Sequence, residues 1–314
     1  MSEDGTNIVS LSSVQRRRVE ASASLRQDPP DDILFQHTVF CQTCLPYRNP
    51  GNLEEWRQEN GDILLFIEAG KLINPETRRK EKVYLPYGPK PRLILAHINS
   101  EAIKQGSPFM EIEDSMTAFV HRILSYGNFS ARNPSGRDIK IYKEQLNRLS
   151  AADVTIGLVE NGHVLQFDTK IISKKDLWFS KDPNQRVLWP SKIELSQDYF
   201  SCLQKHAVPL SEKALAALAP SCLALDIYCW LAQRLHRIPT AKPQFISWAA
   251  LKNQFGRGYK GSRQFKYEFL KTLRLVKAHY TGANFQDHLS GLQLRNSPPP
   301  VPKIQAQVLD LKKS

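Results

Sequence analysis

The sequence predicts an α+β fold of two winged helix-turn-helix domains in tandem, mostly helical with short β-hairpin wings and flanked by disordered tails. Three observations point to it. One order of elements, helix, short strand, helix, turn, helix and hairpin, is read twice along the chain. A polar joint with two prolines separates the two readings, and both ends lack apolar periodicity. A length of 314 residues suits about two domains that each bury a core.

Residues 1–31 end in "DPPDD" and read as a disordered arm, in which Arg16, Arg17 and Arg18 are either a phosphate contact or a solvated charge run. The first domain, 32–178, opens with strand-like runs at 62–72 and 82–88 around the charged turn "NPETRRKE". A helix follows over 90–105, with Pro91 near its start and Gly106 just past its end. The strand "FMEI" leads to a helix in which Met116, Phe119, Val120 and Ile123 share one face. After a turn at 126–136, a helix over 137–149 puts Ile139, Tyr142, Leu146 and Leu149 inside and Arg137, Lys140 and Arg148 elsewhere. Strands at 153–160 and 163–172, joined by Asn161-Gly162, close the unit as a hairpin. The third helix carries few charges, so this domain is equally a DNA contact or a partner-binding and dimerisation module.

The joint is 179–191, and the second domain is 192–296. Helices are expected at 195–206, 210–219 and 221–238, the last apolar nearly all round and so central to a core. A short strand "QFI" precedes Ser247, an N-cap for "WAALKNQFG". The turn "FGRGYKGSR" then carries Gly256, Gly258 and Gly261 at G-x-G-x-x-G spacing, but it follows a helix, whereas a dinucleotide fingerprint needs a strand before it. Beyond it Phe265, Phe269, Leu273, Val276 and Tyr280 step by 4, 4, 3 and 4 residues, marking the inner face of a helix over 262–280. "ANFQ", "DHLSG" and "LQLR" read as a wing, and 297–314 as a proline-rich tail.

A formal charge of +12 favours an anionic partner, nucleic acid or an acidic membrane surface. The start of the chain is too polar for a signal peptide, and Pro220 and Asp226 interrupt the most apolar window, 215–232. A cytoplasmic protein without a membrane span is therefore expected. Five cysteines argue against a disulfide framework. Cys41 and Cys44 form a C-x-x-C, yet no second pair completes four zinc ligands, so no metal or cofactor is expected.

The charge is concentrated. From Phe255 to Tyr280 stand seven Lys and Arg against Glu268 alone, a net of +6, half that of the whole chain. At about 100° per residue, Arg263, Lys266, Tyr267, Lys271, Arg274 and Lys277 fall opposite the apolar face. A helix laid in the major groove needs such an outer face, and Arg, which grips guanine bidentately, makes Arg263 and Arg274 the candidates for base reading. Arg257, Lys260 and the amides of Gly261 and Ser262 at the helix start offer a phosphate site. No catalytic constellation appears: "GRGYKGS" lacks the Walker lysine, and no His-x-His, H-E-x-x-H or G-x-S-x-G is present.

The segments "LPYGPKPRLILAHINSEAI", "SGRDIKIYKEQLNRL", "SCLALDIYCWLAQRLHRI", "ISWAALKNQFG" and "GLQLRNSPPPV" resemble the plasmid-encoded RepA replication initiators, over roughly 32–302. The resemblance implies a protein that binds double-stranded DNA at its plasmid's origin, often at repeated sites, opens the duplex with host help and recruits the host replicative helicase. It implies that the second domain is the main origin reader, with the turn at Gly256–Gly261 and the reading helix at Ser262–Tyr280, and that the first adds dimerisation or DNA contact. "QVLDL" at 307–311 is similar to peptides that dock on the bacterial sliding clamp. The alternatives are a repressor on the same fold and, in another class, a nickase or primase.

Overall fold

A computed structural model describes residues 33–301, apart from 75–76, 112, 114, 127–132, 161–162 and 177–191. The arm at 1–31, the Asn161-Gly162 turn, the joint at 179–191 and the clamp-like "QVLDL" lie outside the described residues.

The strand β1 (Ile33–His37) runs into a short helix, α1 (Thr38–Gln42), capped by the His37 ring, whose Nδ1 accepts from the Val39 N–H. The hairpin β2 (Glu55–Asn60) and β3 (Ile63–Glu68) turns at Gly61, where φ of 58° favours glycine. β4 (Lys71–Ile73) and β5 (Lys80–Lys82) bracket the charged turn. The strand expected over 82–88 stops at Lys82. Pro86 lacks the N–H a ladder needs, and Gly88 at φ 80° turns the chain into α2 (Pro89–Gln105).

β6 (Phe109–Glu111) leads to α3 (Met116–Leu124), capped by Ser115, and α4 (Gly136–Ala151) begins with a capping box of Ser135 and Asp138. β7 (Asp153–Glu160), β8 (His163–Lys170) and β9 (Ile172–Asp176) follow. β7 and β8 pair as the expected hairpin, and β3 adds to β7 in the antiparallel order β2-β3-β7-β8. A winged arrangement would pair β6 with this hairpin. It pairs instead with β10 (Lys192–Leu195), which also takes β9 on its other edge. The free edge of β7 is occupied by β3, so the short strand finds its ladder beyond the joint.

The chain continues through α5 (Gln197–His206), β11 (Ala207–Ser211), α6 (Glu212–Leu218) and α7 (Cys222–Arg234). The helix expected over 210–219 loses its first two residues to β11, which pairs antiparallel with β1. After a 3₁₀ turn at Leu235–Arg237 come β12 (Gln244–Ser247), α8 (Trp248–Phe255), α9 (Ser262–His279), β13 (Phe285–Asp287) and β14 (Gly291–Leu294). The sheet here is ordered β12-β14-β13.

Because β1 pairs with β11 and β6 with β10, side chains from both sides of the expected joint enter one core. Its axis is α7, buried at every residue from Leu223 to Gln233 and packed on α1, α2, α9 and β11. A smaller cluster of Ile33, Phe35 and Val301 brings the two ends of the described chain together. No helix among the described residues is long and apolar enough to cross a membrane.

α2 is also buried throughout from Pro91 to Ser100, which places an arginine inside the protein. The Arg92 guanidinium donates to both carboxylate oxygens of Asp226 on α7, at 2.7 and 2.8 Å, and to the carbonyls of Gly88 and Leu45, each at 2.7 Å. Both side chains are 7% exposed, and the Tyr47 ring covers the guanidinium at 5.2 Å. Burial works against the charge, but the carboxylate more than offsets it and keeps Arg92 protonated. Arg92→Met should therefore lower unfolding free energy by roughly 3–5 kcal/mol, since it strands a buried carboxylate, and Asp226→Leu in the same chain should recover most of the loss. Urea titration of both variants checks this; a loss below about 1 kcal/mol in the single variant would show that the pair does not hold the helices together.

His37 supplies a pH dependence. Burial, then the charge of His206, lowers its pKa from 6.5 to about 3. Its ring stacks on Tyr199 at 5.2 Å, and its Nδ1 is already an acceptor, so the neutral form is the folded one. The unfolded chain thus binds a proton first. Stability should be complete above pH about 6.5 and fall as pH drops toward 3, by about 1.4 kcal/mol per unit at most. Thermal unfolding of His37→Gln between pH 4 and 7 should show a flatter slope than the parent chain; an equal slope would exclude His37 as the titrating group.

Candidate nucleic-acid interface

α9 is seated by its aromatic stripe. Phe265, Phe269, Leu273 and Val276 are buried, and Phe269 packs against Phe255 at 5.6 Å and edge-on against Trp248 at 6.0 Å. The opposite side carries Arg263, Tyr267, Lys271 and Arg274, all exposed. No side chain caps the first turn of α9, and no acidic residue lies in it, so the amide donors there have no side-chain acceptor among the described residues. Ser262 is exposed, with the Lys252 ammonium 3.4 Å from its hydroxyl.

In the preceding turn the three glycines have different reasons. A Cβ on Gly256 would lie 2.6 Å from Lys252 Cγ, 2.7 Å from the Lys252 carbonyl and 2.9 Å from the Phe265 ring, so the close seating of α8 on α9 excludes a side chain there. Gly258 and Gly261 face open space. Arg257 and Lys260 are exposed between them. The Arg257 guanidinium lies 5.1 Å over the ring of Trp56, on β2 of the other half.

The hairpin β13–β14 is fastened at its tip to α8 through Trp248 and to α9 through Lys266. Trp248 Nε1 donates to the His288 carbonyl at 3.0 Å, the Trp248 N–H to the Ser290 carbonyl at 3.1 Å, and Lys266 Nζ to the Leu289 carbonyl at 3.2 Å. The Lys266 ammonium also lies 4.8 Å over the Trp248 ring. Leu289 itself is 96% exposed. Gly291 is obligatory, because a Cβ there would meet the Ile246 carbonyl at 2.2 Å.

The expected cations thus divide. Arg263, Lys271 and Arg274 stand clear of the protein on α9, with Tyr267 among them, and Arg257, Lys260 and Ser262 adjoin them at its start. Lys266 is half-buried and attached to the β13–β14 hairpin. Lys277 curls over the helix end, its ammonium donating to the Thr281 carbonyl at 2.9 Å and to that of Ala283, and burial lowers its pKa. Arg137 and Lys140 are exposed on α4, but Arg148 is not available to DNA. It is 8% exposed and donates to the Leu85 carbonyl at 2.9 Å and to Glu144 at 2.7 and 3.1 Å. The rings of Tyr84 and Tyr87 flank it. The correction has a plain cause: Gln145 and Arg148 lie on the face that packs against the 84–87 segment, where Gln145 accepts from the Tyr87 N–H.

Sequence reasoning missed Trp248 as the anchor of the β13–β14 hairpin and Trp56 as Arg257's partner. Ser247 as an N-cap was a signal for where Trp248 sits, but nothing local to Trp56 marks a contact two hundred positions away. Cys41 and Cys44 are buried free thiols, both pushed up in pKa by burial first. Among the described residues no group of three or more His, Cys, Asp and Glu is placed to hold a metal ion.

Three comparisons bear on this geometry. The family described as plasmid encoded RepA protein matches residues 85–250, from just before α2 into α8, and its match stops short of the glycine turn and α9. No curated protein matches the sequence. The fold is similar to a crystal structure of domains 2 and 3 of RctB, at 10% identity and a TM-score of 0.52, covering 86% of this chain and 99% of that one. Selenomethionine derivatives of the same two domains give 10% identity and 0.52 over 82% and 96%. The shared feature is a mixed α/β architecture with several helices and small sheets.

The tip contacts make a checkable claim about order. Trp248→Phe keeps the ring against Phe269 and removes the bond to His288, so amide exchange at 288–291 should speed by roughly tenfold or more while the thermal midpoint falls only slightly. Unchanged exchange at the tip would mean that the hairpin is held by its strand pairing alone.

Proposed function

Because the chain belongs to the plasmid encoded RepA protein family, we propose that it initiates plasmid replication by binding duplex DNA at the origin, with α9 in the major groove and the β13–β14 tip alongside. The observation that carries this is the net +6 gathered between Phe255 and Tyr280, of which Lys260, Arg263, Lys271 and Arg274 have no partner among the described residues, while the inner face of α9 is locked by aromatics. The order α7, β12, α8, turn, α9, β13, β14, with the sheet order β12-β14-β13, supports a winged-helix reading of 192–296. The segment 32–178 has the same helix order but a different strand partner for β6, and fits an accessory contact through Arg137 and Lys140 or homodimerisation. Arg263 and Arg274 read bases, Lys271 and Lys260 meet phosphates, and Lys266 acts chiefly by fixing the wing. Recruitment of the host replicative helicase follows on the bound origin.

The plasmid's own origin DNA is the test ligand. Observed affinity should fall steeply with salt, the logarithmic slope being about 0.9 per phosphate neutralised, with roughly five or more phosphates involved. Arg263→Ala and Arg274→Ala should each weaken origin binding by roughly 1–3 kcal/mol, more than they weaken binding to random duplex, with the melting temperature unchanged. A flat salt slope, or variants that bind as the parent does, would sink the assignment of α9. Deleting the gene from a plasmid with no other replicon separates initiation from repression, since only an initiator's loss stops replication.

A further inference from the structure

A groove of about 580 Å³ lies between the 44–58 segment and the glycine turn. Its walls are aromatic: Tyr47 and Trp56 on one side and Tyr259 on the other, all half-buried. The indole is fixed at its edge, Nε1 donating to the Cys44 carbonyl at 2.7 Å, and the Arg257 guanidinium lies over its face. Arg48, Arg257 and Lys260 supply three exposed cations, and none of the described residues lining the groove is acidic. Gln58 also lines it, 2% exposed, with a carboxamide that makes no hydrogen bond among the described residues.

An aromatic face, an unused amide and a set of cations in one concavity are the three things a nucleotide needs: stacking for the base, hydrogen bonds for its edge, and charge for its phosphate. An acidic peptide would answer the cations and bond Gln58 but bring no flat base to stack on the indole face. We propose that this groove binds a nucleotide, its base stacking on Trp56 in the place now held by Arg257 and its edge meeting Gln58. Arg257 moves from the ring to the phosphate, joined by Arg48 and Lys260. The volume suits one or two nucleotides. The same chemistry is offered by an unpaired nucleotide of a DNA strand and by a free nucleotide such as ATP. The site goes beyond duplex recognition: it shares Arg257 and Lys260 with the phosphate contacts proposed for the turn, whereas Trp56, Gln58 and Arg48 take no part in the α9 contacts.

The experiment uses the full chain and two probes, a labelled oligonucleotide of about 12 thymidines and ATP. Trp56→Ala and Arg48→Glu should each weaken oligonucleotide binding roughly tenfold, with duplex origin binding within about twofold of the parent. Arg48, on an exposed loop, keeps the test valid if Trp56→Ala loosens β2. Displacement of the oligonucleotide by millimolar ATP, lost in both variants, identifies a free nucleotide as a ligand; oligonucleotide binding that ATP does not displace identifies the unpaired strand. If neither probe binds, or both variants bind them as the parent does, the proposal is overturned. Oligonucleotide binding that obeys these expectations in a chain that fails to bind origin duplex would overturn the assignment of α9 and leave the groove standing.

Discussion

The bidentate contact between Arg92 and Asp226 is the constraint on which the arrangement depends. Two helices buried along their length, α2 and α7, meet there with opposite charges. A pair so enclosed is weak as a source of net stability but severe as a condition on geometry, because any packing that separates the charges leaves one of them in an apolar interior. The two remaining donor contacts, to Gly88 and Leu45, extend that condition to the start of α2 and to the loop after α1. Since α9 is seated on α7, the exposed face of the basic helix is positioned indirectly by the same pair.

Cationic side chains serve two unrelated purposes in this molecule, and charge counting does not separate them. Arg92 and Arg148 satisfy carbonyls and carboxylates inside, Lys277 caps a helix end and Lys266 fastens a hairpin. What remains free on α9 is a smaller set, Arg263, Lys271 and Arg274, spread along the exposed side and continued by Lys260 and Arg257. A Coulombic surface made of few mobile charges over a rigid aromatic seat is suited to a ligand whose phosphates are regularly spaced.

Local rules recovered the local structure. Proline and glycine punctuation located α2, serine caps located α8, and a period of 3.6 identified the buried stripe of α9 down to individual residues. The strand pairings across the joint were not legible, because β1, β10 and β11 are short and each is stabilised by a partner far along the chain. Their patterns offered no turn signal, and a run such as "AVPLS" with its proline reads against a strand until β1 supplies the ladder. The helical phase was similarly reliable for Phe265 and Phe269 and misleading for Arg148, whose neighbours Tyr84 and Tyr87 come from outside the helix. The candidate interface was visible as charge, whereas the anchor of its hairpin and the aromatic groove behind the turn emerge only from tertiary contacts.

The cluster of Ile33, Phe35 and Val301 has a topological consequence. Ile33 and Val301, the first and last described residues, share one buried apolar contact. Lifting either end uncovers apolar surface on the other, so the two ends resist opening together.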